Sequence, residues 1–94
     1  MRISEFVLFQ KEGSVHYTGY ANYFGLESRA CIIKKAGDKF IVLVEDDDGW
    51  KRVGLFYPQK GKIRGNKEYE LIGIIWTPEH TFHVIKDGKR FLGL

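Results

Sequence analysis

The stretch EYELIGIIWTPEHTFHVIKDGKRFLGL, residues 68–94, decides the fold class. EYELIGIIWT is rich in β-branched and aromatic residues, which favour strands. Pro78 and Glu79 follow and suit a type I turn, because proline pre-sets φ at the second position. HTFHVI and RFLGL then flank Lys86-Asp87-Gly88-Lys89. Asp-Gly between two apolar runs is a strong hairpin signal, since a type I′ turn needs positive φ at both central residues. With Asp87 and Gly88 central, Val84 is expected opposite Phe91, Phe82 opposite Gly93 and His83 opposite Leu92. Lys86 then falls opposite Lys89, a mild like-charge penalty. The segment reads as a three-stranded meander.

Working outward, a second hairpin is expected around Ala36-Gly37-Asp38. A three-residue loop there pairs Ile32 with Val42 and Lys34 with Phe40 on one face, Ile33 with Ile41 and Cys31 with Leu43 on the other. Apolar residues on both faces of residues 40–44 indicate an enclosed strand, as in a barrel or sandwich. Residues 3–10 are compatible with a short helix capped by Ser4 or with a strand turning at Lys11-Glu12-Gly13; the Phe, Val and Ile content favours the strand. Residues 20–28 have neither period and read as a loop or one helical turn. Residues 50–57 read as a strand ended by Pro58, and residues 59–67 as a surface loop broken by Gly61 and Gly65.

The expectation is a mainly β protein: one domain over residues 1–94, a small barrel or strongly bent antiparallel sheet of about seven strands, with at most one short helical turn. Ninety-four residues suit one domain that folds without disulfides or metal. Aromatic residues make up 15% of the chain, a surplus that fits strands better than helices. Cys31 is the sole cysteine, so no internal disulfide forms, and its flanks Ala30 and Ile32 mark a buried thiol. The N-terminal residues carry Glu5 within the apolar run and no small-residue cleavage site, and no apolar run approaches a membrane span. A cytoplasmic protein without membrane contact is the expectation.

Function is signalled by charge. Residues 51–67, KRVGLFYPQKGKIRGNK, hold six bases and no acid, while the whole chain is only +3. Phosphate tracks are bound by ammonium and guanidinium groups, and single strands also by exposed rings. The candidate nucleic-acid-binding residues are Lys51, Arg52, Tyr57, Lys60, Lys62, Arg64 and Lys67, with Trp50 a further stacking ring. Lys60, Lys62 and Arg64 alternate, so an extended backbone aims all three the same way. The bland alternative is a solubilising loop neutralised by the acids 45–48. A second functional class is a small protein-interaction module, a regulator or inhibitor of a larger partner. Its candidate anchors are Tyr17, Tyr20, Tyr23 and Phe24, because aromatics dominate interface energetics.

Chemistry beyond binding finds little support. Glu45-Asp46-Asp47-Asp48-Gly49 lacks the spacing of a calcium loop and reads as a solvated turn, with Asp48-Gly49 at the bend. His80 and His83 would share a face on a helix but point oppositely on a strand, so no metal site is assigned. GDKFIVLVEDDDGWKRV together with EYELIGIIW is similar to the second half of LexA-type repressor peptidases, a resemblance that implies Lys51 as general base and an upstream serine nucleophile. Ser14, the serine at a suitable distance, sits in GSVH rather than the family's Gly-x-Ser-Met. The segment after Lys51 is also shorter than in the family. No catalytic residue and no cofactor are assigned, and the expectation is a non-enzymatic module.

Overall fold

The computed structural model describes residues 2–12 and 16–94. Eight antiparallel strands follow one another in chain order: β1 (Ile3–Gln10), β2 (Tyr17–Tyr23), β3 (Ser28–Ala36), β4 (Lys39–Asp46), β5 (Gly49–Arg64), β6 (Glu68–Trp76), β7 (Thr81–Asp87) and β8 (Arg90–Gly93). Each pairs with its neighbour in sequence, and β8 returns to β1, so the sheet closes into an up-and-down barrel. The expected small barrel is therefore present, with eight strands rather than seven. No helix among the described residues is long and apolar enough to cross a membrane.

An eight-stranded barrel is just wide enough for side chains to fill its interior. Here every strand contributes: Phe6 and Leu8, Ala21, Cys31 and Ile33, Val42 and Val44, Phe56, Ile75, Phe82 and Val84, and Phe91. Phe6 stands edge-on to Phe82, with centroids 4.9 Å apart. The space left for these rings depends on inward glycines. Gly73 carries the Phe56 ring over its Cα; a Cβ there would lie 2.4 Å from the ring. At Gly54 a Cβ would lie 2.1 Å from the Trp76 carbonyl oxygen, so β5 and β6 approach closely only because the side chain is absent.

The turns set registers that differ from those expected. Ala36 pairs with Lys39, leaving Gly37 and Asp38 as a two-residue turn with Gly37 at φ 66°. Glycine at the first central position matches a type II′ turn, whose twist suits the flanking strands. The one-residue slip from the expected three-residue loop exchanges faces. Ile33 and Val42 now enter the core together, and Ile32 and Leu43 lie outside. At β7–β8 the central residues are Gly88 and Lys89, not Asp87 and Gly88: Asp87 pairs with Arg90 and Val84 with Gly93. This two-residue shift keeps the faces. It also replaces the Lys86–Lys89 repulsion by an Asp87–Arg90 ion pair at 3.0 Å. At β4–β5 the bend is Asp47-Asp48, between the paired Asp46 and Gly49. Gly49 has φ 112°, and the Asp46 carboxylate accepts the Asp48 N–H at 2.8 Å.

Two segments expected as loops are strands. Residues 20–23 complete β2, and the chain turns at residues 24–27, where the Tyr23 N–H donates to the Glu27 carbonyl. No helical turn forms; Gly25 (φ 104°) and Leu26 (φ 71°) reverse the chain. Residues 59–64, expected as a loop after Pro58, continue β5 through a bulge between Pro58 and Gly61 and pair with β6. Pro58 is tolerated because the β4 ladder ends at Phe40–Phe56, and from there β5 has, among the described residues, a strand neighbour on one side only.

Gly54→Ala is expected to cost about 2 kcal/mol by overpacking, lowering Tm by roughly 8–16 °C for a domain of this size. At Gly61 a Cβ would meet only Leu71 at 3.4 Å, so Gly61→Ala should stay within about 0.5 kcal/mol of wild type. Thermal melts of both variants check the pair.

A candidate polyanion interface at one end of the barrel

In an up-and-down barrel alternate turns gather at the same end. One end here carries the turns β1–β2, β3–β4, β5–β6 and β7–β8; the other carries β2–β3, β4–β5, β6–β7 and the start of β1. The charged residues divide unequally between them. The first end has Lys11 on its first turn, then Lys34, Lys35 and Lys39, then Lys60, Lys62, Arg64 and Lys67, then Lys86, Lys89 and Arg90. These are eleven of the chain's fifteen bases, against Glu12, Asp38, Glu68, Glu70 and Asp87, five of its twelve acids. This basic end carries a formal +6 and the opposite, acidic end −3, which together give the chain's +3.

The separation is large enough to matter. An eight-residue strand such as β4 spans about 26 Å, or about 20 Å along the axis of a barrel with tilted strands. That exceeds the screening length of about 8 Å at physiological salt, so the acidic end does not neutralise the basic one. Among the described residues two ion pairs temper the basic end, Lys62–Glu68 and Arg90–Asp87, both at 3.0 Å. Lys67 lies 5.2 Å over the Tyr69 ring. Among the described residues Lys34, Lys35, Lys39, Lys60, Arg64, Lys86 and Lys89 make no ion pair.

The residues singled out from the sequence do not converge. Lys60, Lys62, Arg64 and Lys67 sit on the β5–β6 ribbon at the basic end, where Lys62 pairs in register with Glu70 and Arg64 with Glu68. Tyr57 is halfway along the outer wall and 52% exposed. Lys51 and Arg52 lie at the acidic end, on the rim of a cleft of about 410 Å³ shared with Glu27, Asp46 and Glu79. Nine residues of strand, roughly 30 Å, separate Lys51 from Lys60. Trp50 projects beside Glu45 at that same acidic end. The expected neutralisation by residues 45–48 therefore concerns Lys51 and Arg52 and not the ribbon.

Of the proposed protein-binding anchors, Tyr17 is a core ring against Phe56 (5.8 Å) and Phe91 (5.3 Å), and burial pushes its hydroxyl pKa up. Tyr23 packs partly into the core, and burial raises its pKa too. Tyr20 and Phe24 are exposed, Tyr20 on the outer wall and Phe24 at the turn beside the fully exposed Leu26. The four do not form one patch. The outer wall holds other exposed rings that the sequence reading left aside: Trp76, paired with Leu55, is nearly half exposed.

Groups with catalytic or ligating potential are otherwise engaged. His80 closes the Thr77–His80 turn, its carbonyl accepting from Thr77 Oγ1 at 2.7 Å, and its ring packs edge-on to Phe82. His83 faces outward opposite Ile74. Among the described residues no three His, Cys, Asp or Glu side chains are placed to hold a metal. Ser14 lies outside the described residues. Cys31 is buried, and desolvation pushes its thiol pKa up to about 12. No protein family, no curated protein and no solved structure matches the chain.

Because the thiolate is the reactive form, native protein is expected to leave a disulfide reagent such as Ellman's unreacted at pH 8. One thiol per chain should titrate once urea unfolds the barrel. Prompt reaction of the native protein would show that Cys31 is accessible.

Proposed function

We propose that this barrel is a non-enzymatic module that binds a polyanion, nucleic acid foremost, through its basic end. One observation carries the reading: four turns, distant in sequence, bring eleven bases and five acids to one end of the barrel. Exposed lysines without ion-pair partners suit contacts to a phosphate backbone, which position a protein without reading sequence. The reading keeps Lys60, Lys62, Arg64 and Lys67, adds Lys34, Lys35, Lys39, Lys86 and Lys89, and leaves out Lys51 and Arg52. Tyr57, halfway along the outer wall, is its candidate stacking ring. The second reading, a protein-interaction module, rests on Phe24 and Leu26 exposed together at the acidic end.

Fluorescence anisotropy with a short single-stranded oligonucleotide tests the proposal. Five or more phosphate contacts predict a slope of log affinity against log salt of about −3.5 or steeper, at about −0.7 per contact. Reversing Lys34, Lys35, Lys86 and Lys89 to glutamate should abolish binding. The double variant Lys51→Gln with Arg52→Gln should bind within about twofold of wild type, two phosphate contacts otherwise being lost. Absence of binding at low salt, or loss of binding only in the Lys51/Arg52 variant, would sink the proposal.

A further inference from the structure

Closing a sheet removes its edges, yet a long stretch of open edge survives on β5. The β4 ladder on β5 ends at Phe40–Phe56, while β5 runs on to Arg64, paired with β6 alone. Along residues 57–64, therefore, the side of β5 that faced β4 meets no strand among the described residues. This half-strand, YPQKGKIR, carries three bases and no acid, and all of it except Ile63 is exposed.

Its chemistry selects what can pair there. A second copy of this chain adding antiparallel along the same edge would bring Lys60, Lys62 and Arg64 against their own counterparts, and like charges directly opposite are destabilising. Pro58 and the bulge at residues 59–60 remove ladder positions from any incoming strand, so pairing is confined to residues 61–64. An acidic strand meets the reverse situation. Beyond the bulge Lys62 and Arg64 share one face, Gly61 and Ile63 the other. We infer that residues 61–64, beyond the bulge, form a docking edge for an extended acidic segment of a partner protein, added as a further strand. The segment would alternate acidic with β-branched residues, its carboxylates facing Arg64 and competing with Glu68 for Lys62, and its apolar side chains facing Ile63. Main-chain hydrogen bonds would supply affinity and the alternating side chains specificity. The inference stands on open backbone, which a nucleic acid cannot extend, and so does not depend on the preceding proposal. A segment docked there would nonetheless cover Lys60, Lys62 and Arg64 and compete with a polyanion at the same end.

The test uses the full chain and the blocked peptide Glu-Val-Glu-Val-Glu-Val as probe. It is compared with two analogues N-methylated on alternate residues, one at the valines and one at the glutamates. Methylation keeps every charge and removes one set of backbone donors. The expected result is that the parent peptide binds, slows amide exchange within residues 61–64, and loses at least about tenfold in affinity with one methylated analogue but not the other. Equal binding of all three peptides would mean attraction by charge alone and would overturn the inference. So would failure of the parent to bind, or protection confined to other strands. Oligonucleotide binding by a protein that ignores the peptide would leave the preceding proposal standing and this one lost.

Discussion

Everything in this structure depends on the seam between β8 and β1. β8 has four residues, and three pairs join it to β1: Phe6–Gly93, Val7–Leu92 and Leu8–Phe91. Without that seam β1 and β8 are the free edges of an open sheet and the core rings face water. With it, Phe6 lies over Gly93, Phe91 meets Tyr17 and Phe82 meets Phe6, so one short strand joins the two ends of the chain's apolar pattern into a single interior. The seam also draws turns that already alternate between two sides of the meander into two compact ends, on which charge accumulates.

That topological sorting explains why the charged surface was only partly legible in the sequence. Scanned linearly, the basic residues cluster at 51–67, and the two halves of the chain differ modestly, at −1 and +4. The linear cluster is misleading because β5 is long: it carries Lys51 and Arg52 to one end of the molecule and Lys60 to Lys67 to the other. Lys34, Lys35, Lys86 and Lys89 flank turns that lie some fifty residues apart in the sequence. Their relation emerges only once the hairpins are counted as an uninterrupted meander, in which every second turn returns to the same end. The hairpins at residues 36–39 and 86–91 were readable from Gly37 and Gly88, so the pieces for that count were present.

The fold class was more legible than the registers. Alternating β-branched and aromatic runs with glycine turns specified strands, and the enclosed character of residues 40–44 pointed to a barrel. Register turned on where glycine sits within each turn. Gly37 and Gly88 both take the first central position, whereas the expected geometry put Gly88 second and Gly37 within a three-residue loop. The continuation of β5 past Pro58 was not readable locally. It depends on β4 having already ended, which is a property of a neighbouring strand and not of Pro58 itself.

The separation of charge between the two ends has a mechanical consequence. A rigid body about 39 Å in its longest dimension, positive at one end and negative at the other, is an electric dipole, and any strong external field exerts a torque on it. Near a negatively charged surface or polymer the barrel turns before it touches, presenting the turns around Lys34 and Lys89 and holding the acidic turn of Asp46 to Asp48 away. Contact then begins from one orientation instead of a random one. The cleft at the far end, with Lys51 and Arg52 on its rim, remains open to solution while the basic end is occupied.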